Sequence, residues 1–117
     1  MEPAGAFSVE ACRAPDGVSV VELSGELDIA ATSDVRAHVD EAAGRRGLVL
    51  DLSGATFLDS SMLKELLRAS AELARYETRL VLAGIPPAAR RVLDLTRTAE
   101  LFTLADDREE ALALVEA

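Results

Sequence analysis

Few side chains in this chain can do chemistry: one histidine (His38), one cysteine (Cys12), one tyrosine and no tryptophan. A serine nucleophile would be Ser60 or Ser61, with His38 as the only available imidazole base. Neither serine lies in a Gly-x-Ser-x-Gly elbow. His38 follows Val35 by three residues and precedes Ala42 by four, so it reads as a half-exposed residue at the margin of an apolar helical face. Asp28, Asp51 and Asp59 each fall near a strand end or loop. Such ends can converge on one edge of an α/β sheet, so one reading is a carboxylate cluster for a divalent cation. Helix caps and turns account for the same three residues, and the expectation is no metal and no cofactor. One His and one Cys exclude a multi-His or zinc–cysteine site. Cys12 reads as a packed or surface thiol. No Gly-x-x-x-x-Gly-Lys-Ser/Thr run is present, and Arg45-Arg46 between Gly44 and Gly47 is a short basic turn.

The most informative segment is Phe57-Leu58-Asp59-Ser60-Ser61-Met62-Leu63. A strand-like run stops there, and two hydroxyls open an amphipathic helix. Ser and Asp are good N-caps, contributing about 1 kcal/mol to a helix. The functional alternative is a phosphorylation switch. Free N–H groups and the positive dipole end hold a phosphate at a helix start, so it would recharge the surface without melting the helix.

These residues need elements to position them. Phe7, Val9 and Ala11 alternate with polar neighbours at strand period, Pro15-Asp16-Gly17 signals a turn, and Val18 to Leu23 completes a hairpin. Ser24 to Asp28 is expected as a loop. Thr32 or Ser33 is the expected N-cap of a helix that buries Val35, Val39, Ala42 and Ala43 and stops at Gly44. Leu48 to Leu52 reads as a buried central strand. The helix after Asp59 should bury Leu63, Leu66, Leu67 and Leu73, with Lys64, Glu65, Arg68, Glu72 and Arg75 facing solvent. Leu80 to Ala83 is a strand, and Pro86-Pro87 open a helix burying Ala89, Val92 and Leu93. Leu101 to Leu104 is a last short strand, and Asp106 with Glu109 resembles a capping box before Ala111, Leu112 and Val115. The order β-β-α-β-α-β-α-β-α implies an α/β fold: a mixed, mostly parallel sheet of about five strands with four helices.

At 117 residues the chain is expected to form one domain over 1–117, with residues 1–5 as a frayed tail. The net charge of −9, from 12 basic and 21 acidic residues, argues against nucleic acid or an anionic membrane as a direct partner. No apolar run approaches the roughly 18 residues of a membrane span, and no signal peptide is visible. The expected location is the cytoplasm.

The whole chain, from about residue 7 to 116, resembles the STAS domain, the fold of bacterial anti-sigma factor antagonists. The resemblance is carried by Gly25-Glu26-Leu27-Asp28, by Leu50-Asp51-Leu52-Ser53 and by Phe57-Leu58-Asp59-Ser60-Ser61. A weaker match is Ala83-Gly84-Ile85-Pro86-Pro87 followed by Arg91-Val92-Leu93. It implies a STAS fold and a non-enzymatic binding protein. Its partner would be an anti-sigma factor with serine kinase activity, and antagonist binding releases the sigma factor. Phosphorylation of the Ser after the Asp, here Ser60, would weaken the complex, and a serine phosphatase would reverse it. Asp28, Asp59 and Ser61 would line the partner surface. The family usually has Gly after the two hydroxyl residues. Here Met62 stands there and Lys64 follows Leu63, so these two side chains are also expected at that surface. Lys64 would pair with a phosphate or repel a basic partner. The alternatives are a STAS scaffold without a switch, in a signalling or transport complex, and a small hydrolase using Ser60 and His38. A weak homodimer stays open.

Overall fold

The computed structural model describes residues 6–116, and the expected tail at 1–5 lies outside them. Strand β1 (Phe7–Cys12) pairs antiparallel with β2 (Val18–Leu27) across the Pro15–Gly17 turn. That turn is closed by the Val18 N–H on the Pro15 carbonyl (3.1 Å), with Gly17 at φ +82°. Helix α1 (Ile29–Ala42), β3 (Gly47–Leu58), α2 (Ser60–Arg75), β4 (Arg79–Ala83), α3 (Pro87–Leu95), β5 (Thr103–Ala105) and α4 (Arg108–Glu116) follow. The sheet order is β1-β2-β3-β4-β5, and every pair after the first is parallel.

Strand alternation divides the interior in two. Val21, Leu48, Leu50 and Leu82 point to one face, where they pack with Val35 and Val39 of α1, Leu66 and Leu73 of α2 and Leu93 of α3. Val20, Val49, Val81 and Ala105 point to the other, covered by Ala111 and Val115 of α4. Each parallel crossover steps in the same direction along the sheet. The right-handed rule for such crossovers places α1, α2 and α3 on one face and leaves the other to α4. This double cover is why Leu48–Leu52 is a continuous apolar run.

Four local expectations are corrected. Residues Ser24–Leu27 are not a loop: β2 continues to Leu27 alongside β3, through two register shifts. Opposite each shift β3 carries one extra residue, so burial along β3 falls on every third residue (Leu52, Ala55, Leu58) instead of every second. Helix α1 is capped by Asp28 and not by Thr32 or Ser33, so it starts about a turn earlier. The last strand is Thr103–Ala105, preceded by a 3-10 turn at Ala99–Leu101. Finally, α4 is capped by Asp107, which accepts the Glu110 N–H at 2.8 Å, rather than by Asp106.

Candidate partner-binding edge

Leu27 and Leu58 are the last paired residues of β2 and β3. Each is followed by an aspartate that caps a helix. Asp28 Oδ1 accepts the Ala30 N–H at 3.0 Å, and Asp59 Oδ1 accepts the Met62 N–H at 3.0 Å. Because β2 and β3 are parallel neighbours, the two helix starts open on the same edge of the sheet. The Asp59 N–H donates to the Leu27 carbonyl (3.2 Å), tying one start to the other. An apolar strand residue is held in the sheet, and the next residue has the side chain a helix start needs.

Ser60 is the first residue of α2 and is exposed, while Ser61 is half-buried. Helix geometry leaves the Ser60 and Ser61 N–H groups without partners inside the helix. Lys64 is exposed one turn further on. Ser61 and Lys64 line a groove of about 310 Å³ between α1 and α2, together with Ile29, Thr32, Arg36, Glu65 and Arg68. Two large apolar side chains stand exposed at this edge, Ile29 (72%) and Phe57 (51%). Exposed apolar groups beside caps and hydroxyls suit a protein surface better than a small substrate.

Five of the six expected site residues, Asp28, Asp59, Ser60, Ser61 and Lys64, are brought together here. Met62 is a correction. Its side chain is fully buried (0% exposed) in the main core with Leu27, Leu58 and Leu66, so it presents nothing to a partner. The third position of α2 points inward, where a long apolar chain fills space that glycine would leave. Glu65 is another. It was expected in solvent, yet it is 8% exposed because α1 packs over that flank of α2. Both its oxygens accept from Arg68 (2.7–3.1 Å), and Arg36 of α1 approaches to 3.6 Å. Its contact with α1 is invisible to the periodicity of one helix. Ile29 was also missed, since its neighbourhood read as loop, although it directly follows a good capping residue.

The competing chemistries do not assemble. His38 lies ten residues into α1, about 15 Å along the axis from the Asp28 cap. There it lines a cavity of about 370 Å³ with Cys12, Glu41 and Arg45, so it does not serve Ser60 as a base. Asp51 does not join Asp28 and Asp59. Its Oδ1 accepts from the Ser53 N–H (3.0 Å) and hydroxyl (2.8 Å), and its Oδ2 from Arg108 Nε (3.0 Å). Burial disfavours the charged form of Asp51, but these donors outweigh it and hold the carboxyl below its ordinary 3.8. Among the described residues, no three His, Cys, Asp or Glu side chains gather as a metal-ligand set, and no helix is long and apolar enough to cross a membrane.

The five-stranded mixed sheet with its four helices is that of a STAS fold. The STAS domain family model matches residues 11–111, and the chain belongs to that family. It is 32% identical over 103 residues to the anti-sigma F factor antagonist of Paenibacillus polymyxa, covering 86% of this chain and 88% of that one. Its structure is similar to that of an anti-sigma factor antagonist from Mycobacterium paratuberculosis, with a TM-score of 0.83, 28% identity and full coverage of both chains. The unphosphorylated form of the anti-sigma factor antagonist SpoIIAA shares the fold, with a TM-score of 0.79 and 23% identity over 93% of this chain and 96% of that one.

Proposed function

We propose that the protein is a cytoplasmic anti-sigma factor antagonist that binds a cognate anti-sigma factor with serine kinase activity and is switched off by phosphorylation of Ser60. The observation that carries this reading is the exposed Ser60 hydroxyl directly after the Asp59 cap, on an edge that also exposes Ile29 and Phe57. The partner-facing residues are Asp28, Asp59, Ser61 and Lys64, with Ile29 and Phe57 as apolar anchors. SpoIIAA, which shares the fold, is known in both an unphosphorylated and a phosphorylated form.

The physics of the switch is local. In the transfer, the Ser60 oxygen bonds to the γ-phosphorus of ATP, the bond to ADP breaks and the hydroxyl proton is lost. A serine phosphatase hydrolyses the ester back. The phosphate adds roughly −1.5 to −2 charges. The first N–H groups of α2 accommodate them, so the helix stays folded. A docked partner would have to desolvate that charge beside Asp28 and Asp59, which weakens the complex.

The test is incubation with the cognate anti-sigma kinase and ATP, followed by mass spectrometry and a binding titration. Phosphate should appear on Ser60, and Ser60→Glu should bind about 10-fold or more weaker, since the loss of one good contact is about 1.4 kcal/mol. No phosphate on Ser60, or equal binding by Ser60→Glu and wild type, would leave a scaffold without a switch.

A further inference from the structure

Among the cations around the α1–α2 groove, Lys64 differs from the other two. Arg68 is held by Glu65 and Asp40, and Arg36 reaches Glu65 at 3.6 Å. Lys64 is exposed and has no hydrogen bond or ion pair to any described residue. The one buried carboxylate in the groove, Glu65, is already occupied by the two arginines. Lys64 sits four residues after Ser60 on the same helix. Side chains at that spacing share a face, with Cβ atoms about 5–6 Å apart. Long helical side chains lean toward the N-terminus, which carries the Lys64 ammonium toward Ser60. An acidic group N-terminal to a lysine at this spacing is the favourable orientation.

We propose that Lys64 is the intramolecular counterion of phosphorylated Ser60, so that modification withdraws the one unengaged ammonium from the groove. This rests on the reading of Ser60 as the phosphate acceptor. In the unmodified protein Lys64 is available to a partner, and in the phosphorylated protein the chain's own phosphate takes it. The switch then changes two features of the edge at once: a dianion appears at the helix start and a cation is removed from the groove.

The experiment needs no kinase. Phosphoserine is installed at position 60 during synthesis of the full chain, and its phosphorus resonance is titrated by NMR in three backgrounds: unchanged, Lys64→Gln and Lys64→Arg. The second phosphate pKa of phosphoserine is ordinarily about 6. With a cation at position 64 it should lie about 0.3 of a pH unit below its value in Lys64→Gln, the size expected of one exposed pair at this spacing. Arginine should restore the shift, and roughly 1 M salt should shrink it. The dipole of α2 and the carboxylates of Asp28 and Asp59 act alike in all three backgrounds, as do Arg36, Glu65 and Arg68. Equal values in all three would therefore overturn the pairing. Failure of a kinase to modify Ser60 would overturn the switch and leave this titration intact.

Discussion

Two clusters in this fold use the same device, a carboxylate accepting a backbone N–H, to opposite ends. At the candidate partner-binding edge, Asp28 and Asp59 cap α1 and α2 at 3.0 Å. On the α4 side, Asp51 accepts the Ser53 N–H at the same distance. Around Asp51 every strong group is engaged: the Ser53 hydroxyl and Arg108 close on it, and Arg108 Nη2 also reaches Glu22 at 2.9 Å. Around Asp59 the neighbours are left open, with an exposed serine and an unengaged lysine. A closed polar cluster locks elements together. An open one keeps its bonding capacity for something outside the chain.

If that contrast is right, substitutions should separate stability from binding. The largest effect belongs to the residue that sits at the open edge but points into the core. Met62→Gly should cost about 4 kcal/mol, from cavity formation plus lost helix propensity. A denaturant titration would check this, and a loss under about 1 kcal/mol would mean that the core has room to close.

Next comes the closed cluster. Asp51→Ala should destabilise by about 2 kcal/mol, because Arg108 and Ser53 lose their shared acceptor, while leaving partner affinity unchanged. Its pH dependence follows from the direction of the Asp51 shift. A carboxyl held below 3.8 in the folded state contributes stability that is present above that value and is lost as pH falls through the folded pKa. The stability gap between wild type and Asp51→Asn should thus be constant near neutrality and narrow below pH 3.8. A gap that widens on acidification would reverse the assignment.

Asp59→Ala should cost about 1 kcal/mol, the usual loss of a cap. Amide exchange should accelerate in the first turn of α2 and not in α4. Smallest of all, Ser60→Ala should shift stability by about 0.5 kcal/mol or less, as for an exposed position outside any network, while removing the proposed phosphate acceptor. A large thermal shift would show that Ser60 has a structural role.

Much of this was readable from sequence where burial follows one period. The leucines of α2 keep one helical period, and the Leu48–Leu52 run is continuous because the sheet is covered on both faces, so spacing and composition place them. Legibility fails where two elements cooperate. The three-residue rhythm of Leu52, Ala55 and Leu58 arises from bulges against β2, and period-two reasoning turns Ser24–Leu27 into a loop. The first turn of α1 carries an exposed isoleucine, so no apolar stripe announces it before Ala31. Glu65 is buried by another helix, and Met62 by the inward direction of a helix start. At the edge itself, the start of α2 at Asp59 and Ser60 was legible because capping chemistry is local. Asp28 read as a cap or turn residue, but the start of α1 was expected further on, at Thr32 or Ser33.

The strand order β1-β2-β3-β4-β5 is also the order of synthesis. A chain that folds as it leaves the ribosome can therefore add each strand beside one that has already emerged, with no pairing held back for a later strand. The cover of the second face is different. Among the described residues, Val18, Val20, Val49 and Val81 take most of their cover from α4, whose Val115 packs so closely on Gly47 that a Cβ there would collide with it. A nascent chain that already has the Asp28–Asp59 edge would therefore still show a stripe of bare valines until residues 108–116 emerge. That interval is when a chaperone, or a second nascent copy, would find it.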